Sequence, residues 1–134
     1  MCLDMRYPKI IRKIMVAFMP NTITAYKYVD NFKGLYSPRF RGKAFVVGEN
    51  EAKGTKIDTS RWQSYDAGFH SFPDMKALRI YLPDLSCLGA RACVVKCKIK
   101  KEWITAIGKQ EGARVIVSKK IIMPDPSDKN AVVV

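Results

Sequence analysis

The chain has 134 residues, 48% of them hydrophobic, with four cysteines and one histidine; that length suits one domain whose core needs neither disulfides nor metal. Twenty-four Lys and Arg against 12 Asp and Glu leave a net charge of +12, which favours a polyanionic partner: nucleic acid, nucleoprotein, an acidic protein face or an anionic membrane. No apolar run approaches the roughly 20 residues of a transmembrane helix, and "MCLDMRYPKIIRKIMVAFMP" is interrupted by Arg6, Lys9, Arg12 and Lys13 and lacks a small-residue cleavage site, so the expectation is a cytoplasmic protein with no membrane partner.

Residues 1–18 read as an amphipathic basic extension or helix. In "KIIRKIMVAF", Ile10, Ile11, Ile14, Met15 and Phe18 share one helical stripe, Lys9, Arg12 and Lys13 face away, and Pro20 ends the pattern. A docked helix and a loose arm are both open. Residues 19–124 are expected to form a single α+β domain, a mixed, largely antiparallel sheet packed with one or two short helices.

"TITAYKYV", residues 22–29, is rich in β-branched and aromatic residues and reads as a strand; "DNFKG" reads as a turn and "KAFVV" as a second short strand. Residues 48–63 are polar with two glycines and read as a long surface loop. "YDAGFH" fits an extended segment. In "SFPD", Ser71 is the expected cap, with Asp74 three residues later in capping-box position, opening a helix over 72–82 that Pro83 stops.

"RACVVKCKIKK" is the clearest strand: Cys93, Val95, Cys97 and Ile99 alternate with Val94, Lys96, Lys98 and Lys100. The first set is expected inside and the lysines outside. "EWITAIG" reads as a short helical turn or an irregular link, residues 113–123 as one strand, and 125–134 as a loose tail. Cysteine spacing fits no zinc site and His70 has no second histidine beside it, so no metal is expected.

Two stretches carry the charge. Between residues 26 and 45, Tyr26, Tyr28, Phe32, Tyr36, Phe40 and Phe45 interleave with Lys27, Lys33, Arg39, Arg41 and Lys43 against Asp30 alone. Aromatic faces stack bases while cations follow phosphates, so this mixture suits a single strand; a hairpin with aromatics in the core is the competing reading. Residues 94–120 hold Lys96, Lys98, Lys100, Lys101, Lys109, Arg114, Lys119 and Lys120 against Glu102 and Glu111. The partner-binding candidates are Lys33, Tyr36, Arg39, Arg41, Lys96, Lys98, Lys100, Lys101, Lys119 and Lys120. Phosphate-binding and nucleophile-elbow motifs are absent, and His70 is read first as part of the frame.

"ITAYKYVDNFKG", "YDAGFHSFPDMKALRIY", "ARACVVKCKIKKEW" and "RVIVSKKIIM" together resemble a family of small domains of unknown function common in phages and bacterial mobile elements, over residues 19–124. The resemblance implies a phage-related origin and supplies no activity. The order of segments around "AGFHSFPDMKALRIY" is also similar to mono-ADP-ribosyltransferases. That likeness implies an NAD cofactor, with Tyr26 or Lys27 in the first motif and His70 or Ser71 in the second. The family's late-strand glutamate or histidine is missing from "RVIVSKKIIM"; Glu111 lies before it, in a turn-like "QEG". The leading expectation is a phage-type accessory protein that binds through a basic surface, an inhibitor of a host nucleic-acid-containing defence complex of the CRISPR kind, without a cofactor. An ADP-ribosyltransferase-like enzyme and a virion or structural component are the alternatives.

Overall fold

The two most regularly alternating stretches of the sequence pair with each other. In the computed structural model, which describes residues 3–32, 34–38, 44–53, 56–59, 63–83 and 92–133, strand β2 (Thr22–Phe32) runs antiparallel to β8 (Ala92–Lys100) from Thr22↔Lys100 to Asp30↔Ala92. Residues opposite one another across a ladder share a face. Ala25, Val29, Val95, Cys97 and Ile99 therefore point one way and are buried, while Lys96, Lys98 and Lys100 point the other way and are exposed. Cys93, expected inside with them, is only half-buried.

Three further strands complete this sheet. Gly34, at φ 78°, helps return β2 into β3 (Leu35–Pro38). On the other side, β11 (Lys120–Met123) pairs with β8 through Ile122↔Lys98 and carries β4 (Gly48–Glu51) at the edge, giving the order β3-β2-β8-β11-β4. A second antiparallel sheet has the order β1-β9-β10-β7, from Met5–Arg6, Ile104–Gln110, Ala113–Ser118 and Phe69–Ser71. A small pair, β5 (Lys56–Asp58) and β6 (Ser64–Asp66), stands apart. The whole is a sheet-dominated α+β domain, as its alternation implied.

The second sheet is covered on both faces. Ile104, Ile107 and Ile116 pack against the inner face of the first sheet, with Ala25, Val29, Val95, Cys97, Ile99 and Trp103. Ala106, Ala113, Val115 and Val117 face the other way, onto Ala77 and Leu78 of helix α2 (Met75–Tyr81). A strand buried on both sides loses its polar alternation, which is why "EWITAIG" did not read as β9. The stretch 113–123 is two strands, because the register shifts between Val117 and Ser118 and the chain crosses from one sheet to the other at Lys119.

Other boundaries move for local reasons. Residues 48–51 and 56–58, expected as loop, are the short strands β4 and β5, while Ala44–Val47 is not strand and β3 takes the place beside β2. Asp74, not Ser71, caps α2: its Oδ1 accepts from the Ala77 N–H at 2.7 Å. Ser71 belongs to β7 and is buried. The tail does not hang free. Val132 bridges Val95, and the Val133 N–H donates to the Val94 carbonyl at 2.8 Å, using the edge of β8 that β11 leaves open. Residues 9–17 form helix α1 (Lys9–Ala17), and β1 ahead of it pairs with β9.

Gly108 of β9 lies directly opposite Arg6 of β1. A Cβ there would collide with the Met5 carbonyl oxygen and sit 3.0 Å from the Arg6 Cα. Both are backbone atoms that cannot step aside. Gly108→Ala is expected to lower unfolding stability by about 1–3 kcal/mol, measured by urea denaturation; an unchanged midpoint would show that β1 is not seated there.

Candidate functional site

The outer face of the first sheet collects the cations. Lys96, Lys98 and Lys100 stand at alternate positions of β8, spaced by about 7 Å. Directly opposite them on β2 are Tyr26, Thr24 and Thr22. Each lysine therefore has a hydroxyl-bearing neighbour on its own face. Ile122 lies opposite Lys98 on the other flank, and Lys120, two residues earlier in β11, falls on the same side. The Lys120 ammonium pairs with Glu49 at 3.0 Å, and that hydrogen bond and charge raise its pKa. Lys100 and Lys120 also stand over the Trp103 ring, at 5.3 and 5.9 Å from its centre. Lys101 is half-buried just beyond, and Lys119 is exposed at the corner between sheets. Lys120 was expected as a candidate on charge alone; the fold supplies the reason that it joins the ladder.

Of the expected aromatic and basic stretch, Tyr36 does not join this face. Tyr36 faces inward from β3 and packs in the core between the sheets, 2% exposed. It is no stacking platform, because β3 pairs with β2 in a register that puts it beside Asn31 on the covered face. Lys33, Arg39 and Arg41 lie outside the described residues. Among the described residues the Tyr36 hydroxyl has no hydrogen-bond partner, and burial raises its pKa. Tyr36→Phe is expected to leave stability unchanged or higher, since only an unpaired hydroxyl is lost, whereas Tyr36→Ala should cost about 3–5 kcal/mol. Denaturant titration of both variants checks this, and equal losses would place the hydroxyl in a bond.

A second cluster lies where the two sheets meet. Tyr26 and Phe72 exchange backbone hydrogen bonds at 2.8 Å, joining β2 to the end of β7. One residue along, Lys27 turns inward between Ala25 and Val29 and donates from Nζ to the His70 carbonyl at 2.6 Å. The rings of Phe45 and Phe69 flank the ammonium, 5.7 and 5.9 Å from it. Desolvation lowers the Lys27 pKa to about 8, against a smaller opposing effect from Cys97. Cys97 donates its thiol to the Ala25 carbonyl at 3.3 Å, and burial pushes its pKa up to about 12. It is a packed thiol and not a nucleophile.

His70 is fully engaged. Its Nδ1 lies 3.2 Å from the Gly68 carbonyl, which can only accept, so Nδ1 carries the proton. Nε2 then accepts from the Tyr65 hydroxyl at 3.2 Å, and that hydroxyl accepts from the Leu3 N–H at 2.9 Å. The histidine thus links β6, β7 and the segment leading into β1. Burial first, and the Lys27 charge second, lower its pKa to about 4.

Of the residues implied for an ADP-ribosyltransferase-like site, Tyr26, Lys27, His70 and Ser71 gather at this seam. Glu111 does not join them. It sits exposed at φ 49° in the β9–β10 turn, its N–H bonded to Asp4 at 2.6 Å. Val117 is the residue opposite His70, so the length of β10 separates Glu111 from the histidine by about 20 Å. Among the described residues no three His, Cys, Asp or Glu side chains converge as a metal set. The chain matches no protein-family model, no curated protein and no solved structure.

Sequence reasoning missed the inward lysine. Ile23, Ala25, Lys27 and Val29 form the buried set of β2, yet Tyr26 and Tyr28 on the other set are the larger apolar groups. The pattern alone pointed both ways.

The histidine pKa has a simple check, because the chain holds one imidazole. A folded-state pKa of about 4 against an ordinary 6.5 means that the unfolded chain binds the extra proton between those values. Stability from neutral His70 is therefore complete above pH 6.5 and is lost as pH falls towards 4. The imidazole proton resonances should titrate near pH 4 in the folded protein, and Lys27→Met should raise that value by removing the second cause. Titration near 6.5 in the folded wild type would dissolve the relay described above.

Proposed function

We propose that this chain is a phage-type accessory protein that works by binding, holding a polyanionic strand or nucleoprotein surface against the lysine face of its five-stranded sheet. One observation carries the reading: Lys96, Lys98 and Lys100 project from a central strand, not from a frayed edge, each paired across the ladder with Tyr26, Thr24 or Thr22. Ammonium groups attract phosphates through charge, and neighbouring hydroxyls add hydrogen bonds to phosphate oxygens or sugars. The spacing along β8 is comparable to that between successive phosphates of an extended single strand. Lysines along an edge would be explained by protection against strand pairing; lysines on the face of a central strand are not. Glu49 and Glu51 mark one boundary of the face at β4, and Val94 marks another, buried beneath its neighbours.

That the target belongs to a host nucleic-acid-containing defence complex rests on the resemblance to small phage domains. The chemistry of the face supports the polyanion and is indifferent to its sequence, since the contacts it offers are to backbone phosphates.

The test is a salt titration of binding to single-stranded DNA, duplex DNA and RNA. The wild type should bind in about 50 mM salt and weaken steeply as counterions compete. Changing Lys96, Lys98 and Lys100 to Glu should reduce affinity for all sequences alike and lower the logarithmic salt slope by about 2–3. No binding at low salt, or binding that ignores both salt and the triple reversal, overturns the proposal.

A further inference from the structure

Helix α1 is mounted with its apolar side outward. A surface helix ordinarily turns its apolar stripe to the core and its charges to water. At about 100° per residue, Ile10, Ile14, Phe18 and Ile11 fall within one arc, and all four are exposed, at 68, 52, 88 and 44%. None of the helix's residues is fully buried. The opposite side meets the body of the protein. Arg12 donates to the Thr105 carbonyl, Met15 and Val16 pack against the core between the sheets, and Arg12, Lys13 and Val16 line a cleft with Lys101, Glu102 and Ile104.

Phe18 follows directly at the helix C-cap. The result is a ridge of three isoleucines and a phenylalanine projecting directly away from the domain. Lys9, Lys13 and Ala17 on one flank are exposed as well, so the ridge stands clear of the domain and can lie on a surface. The charges choose which surface. Lys9 and Lys13 lie exposed beside the ridge, Arg12 and Lys101 line the cleft behind it with Glu102, and α1 contains no acidic residue. A helix is about 10 Å across. With the ridge at the boundary of the acyl chains, those cations lie at headgroup depth, the arrangement of interfacial amphipathic helices.

We infer that α1 is a docking ridge for an anionic lipid surface, on which the protein lies without crossing. No helix among the described residues is long and apolar enough to span a bilayer; a helix lying in the interface needs only one apolar face. This contact is separate from the lysine face, and as a proposal it departs from the expectation of no membrane partner.

The experiment is co-sedimentation of the full chain with phosphatidylcholine vesicles, with and without phosphatidylserine. Ile14→Asp combined with Phe18→Ser removes the ridge at exposed positions, and far-ultraviolet circular dichroism checks that the fold survives. The Lys96, Lys98 and Lys100 to Glu variant serves as the charge control. Wild type should pellet with phosphatidylserine vesicles and not with phosphatidylcholine alone, and the ridge variant should lose about tenfold or more in partitioning. The triple reversal should retain ridge-dependent binding. Three results each overturn the inference: no pelleting with either vesicle at low salt; pelleting that the ridge variant leaves intact, which is charge alone; or a wild-type dimer in sedimentation equilibrium that the ridge variant dissociates, which makes a second copy the occupant.

Discussion

The antiparallel register between β2 and β8 decides most of what this protein presents and hides. It runs without a break from Thr22↔Lys100 to Asp30↔Ala92. A slip of one residue would turn Lys96, Lys98 and Lys100 inward and bring Val95, Cys97 and Ile99 into water. Three buried ammonium groups without partners are a far larger penalty than any local preference could offset. The hydrophobic core and the cationic face are thus two sides of one pairing.

The same register places Lys27 at the junction of the sheets. Its inward position would be costly for an isolated ammonium. Here the His70 carbonyl accepts from it, and two aromatic rings face it. The neighbouring Tyr26–Phe72 bridge fixes β7 against β2, so the carbonyl is held where the ammonium can reach it. His70 is tied in turn through Gly68, Tyr65 and Leu3. The residues that most resemble reactive groups are bonded to the frame, and their altered pKa values arise chiefly from burial.

Two features of the described surface stand out because packing does not explain them. One is the lysine face, open because the cover over Val94 stops before Lys96. The other is the apolar ridge of α1, open because the helix docks by its opposite side. Both face away from the core and neither contributes much to it, so each is free to serve a partner. They differ in kind: charge attracts at a distance and weakens with salt, whereas apolar side chains act at contact and scale with the area removed from water.

Alternation in residues 93–100 was enough to identify β8 and to sort its lysines from its core residues, and the 3.6-residue period in residues 9–18 marked the stripe of α1 while leaving a docked helix and a loose arm both open. Sheet-dominated α+β architecture followed from the same patterns. Periodicity states which residues share a face; it does not state which face is covered. In β2 the two sets were too alike for sequence to choose between them, and Lys27 went inside because β7 and Phe45 close over it. Tyr36 went inside because β3 joined β2 in a register that faces it to the core. Strand β9 carried no alternation because partners cover both of its sides. The stripe of α1, written plainly in the sequence, faces outward because Arg12, Met15 and Val16 are what the body receives. Local pattern therefore marked the elements that alternate or repeat, and only long-range packing decided which of their faces meet water, because covering a face requires a second segment whose position no local stretch encodes.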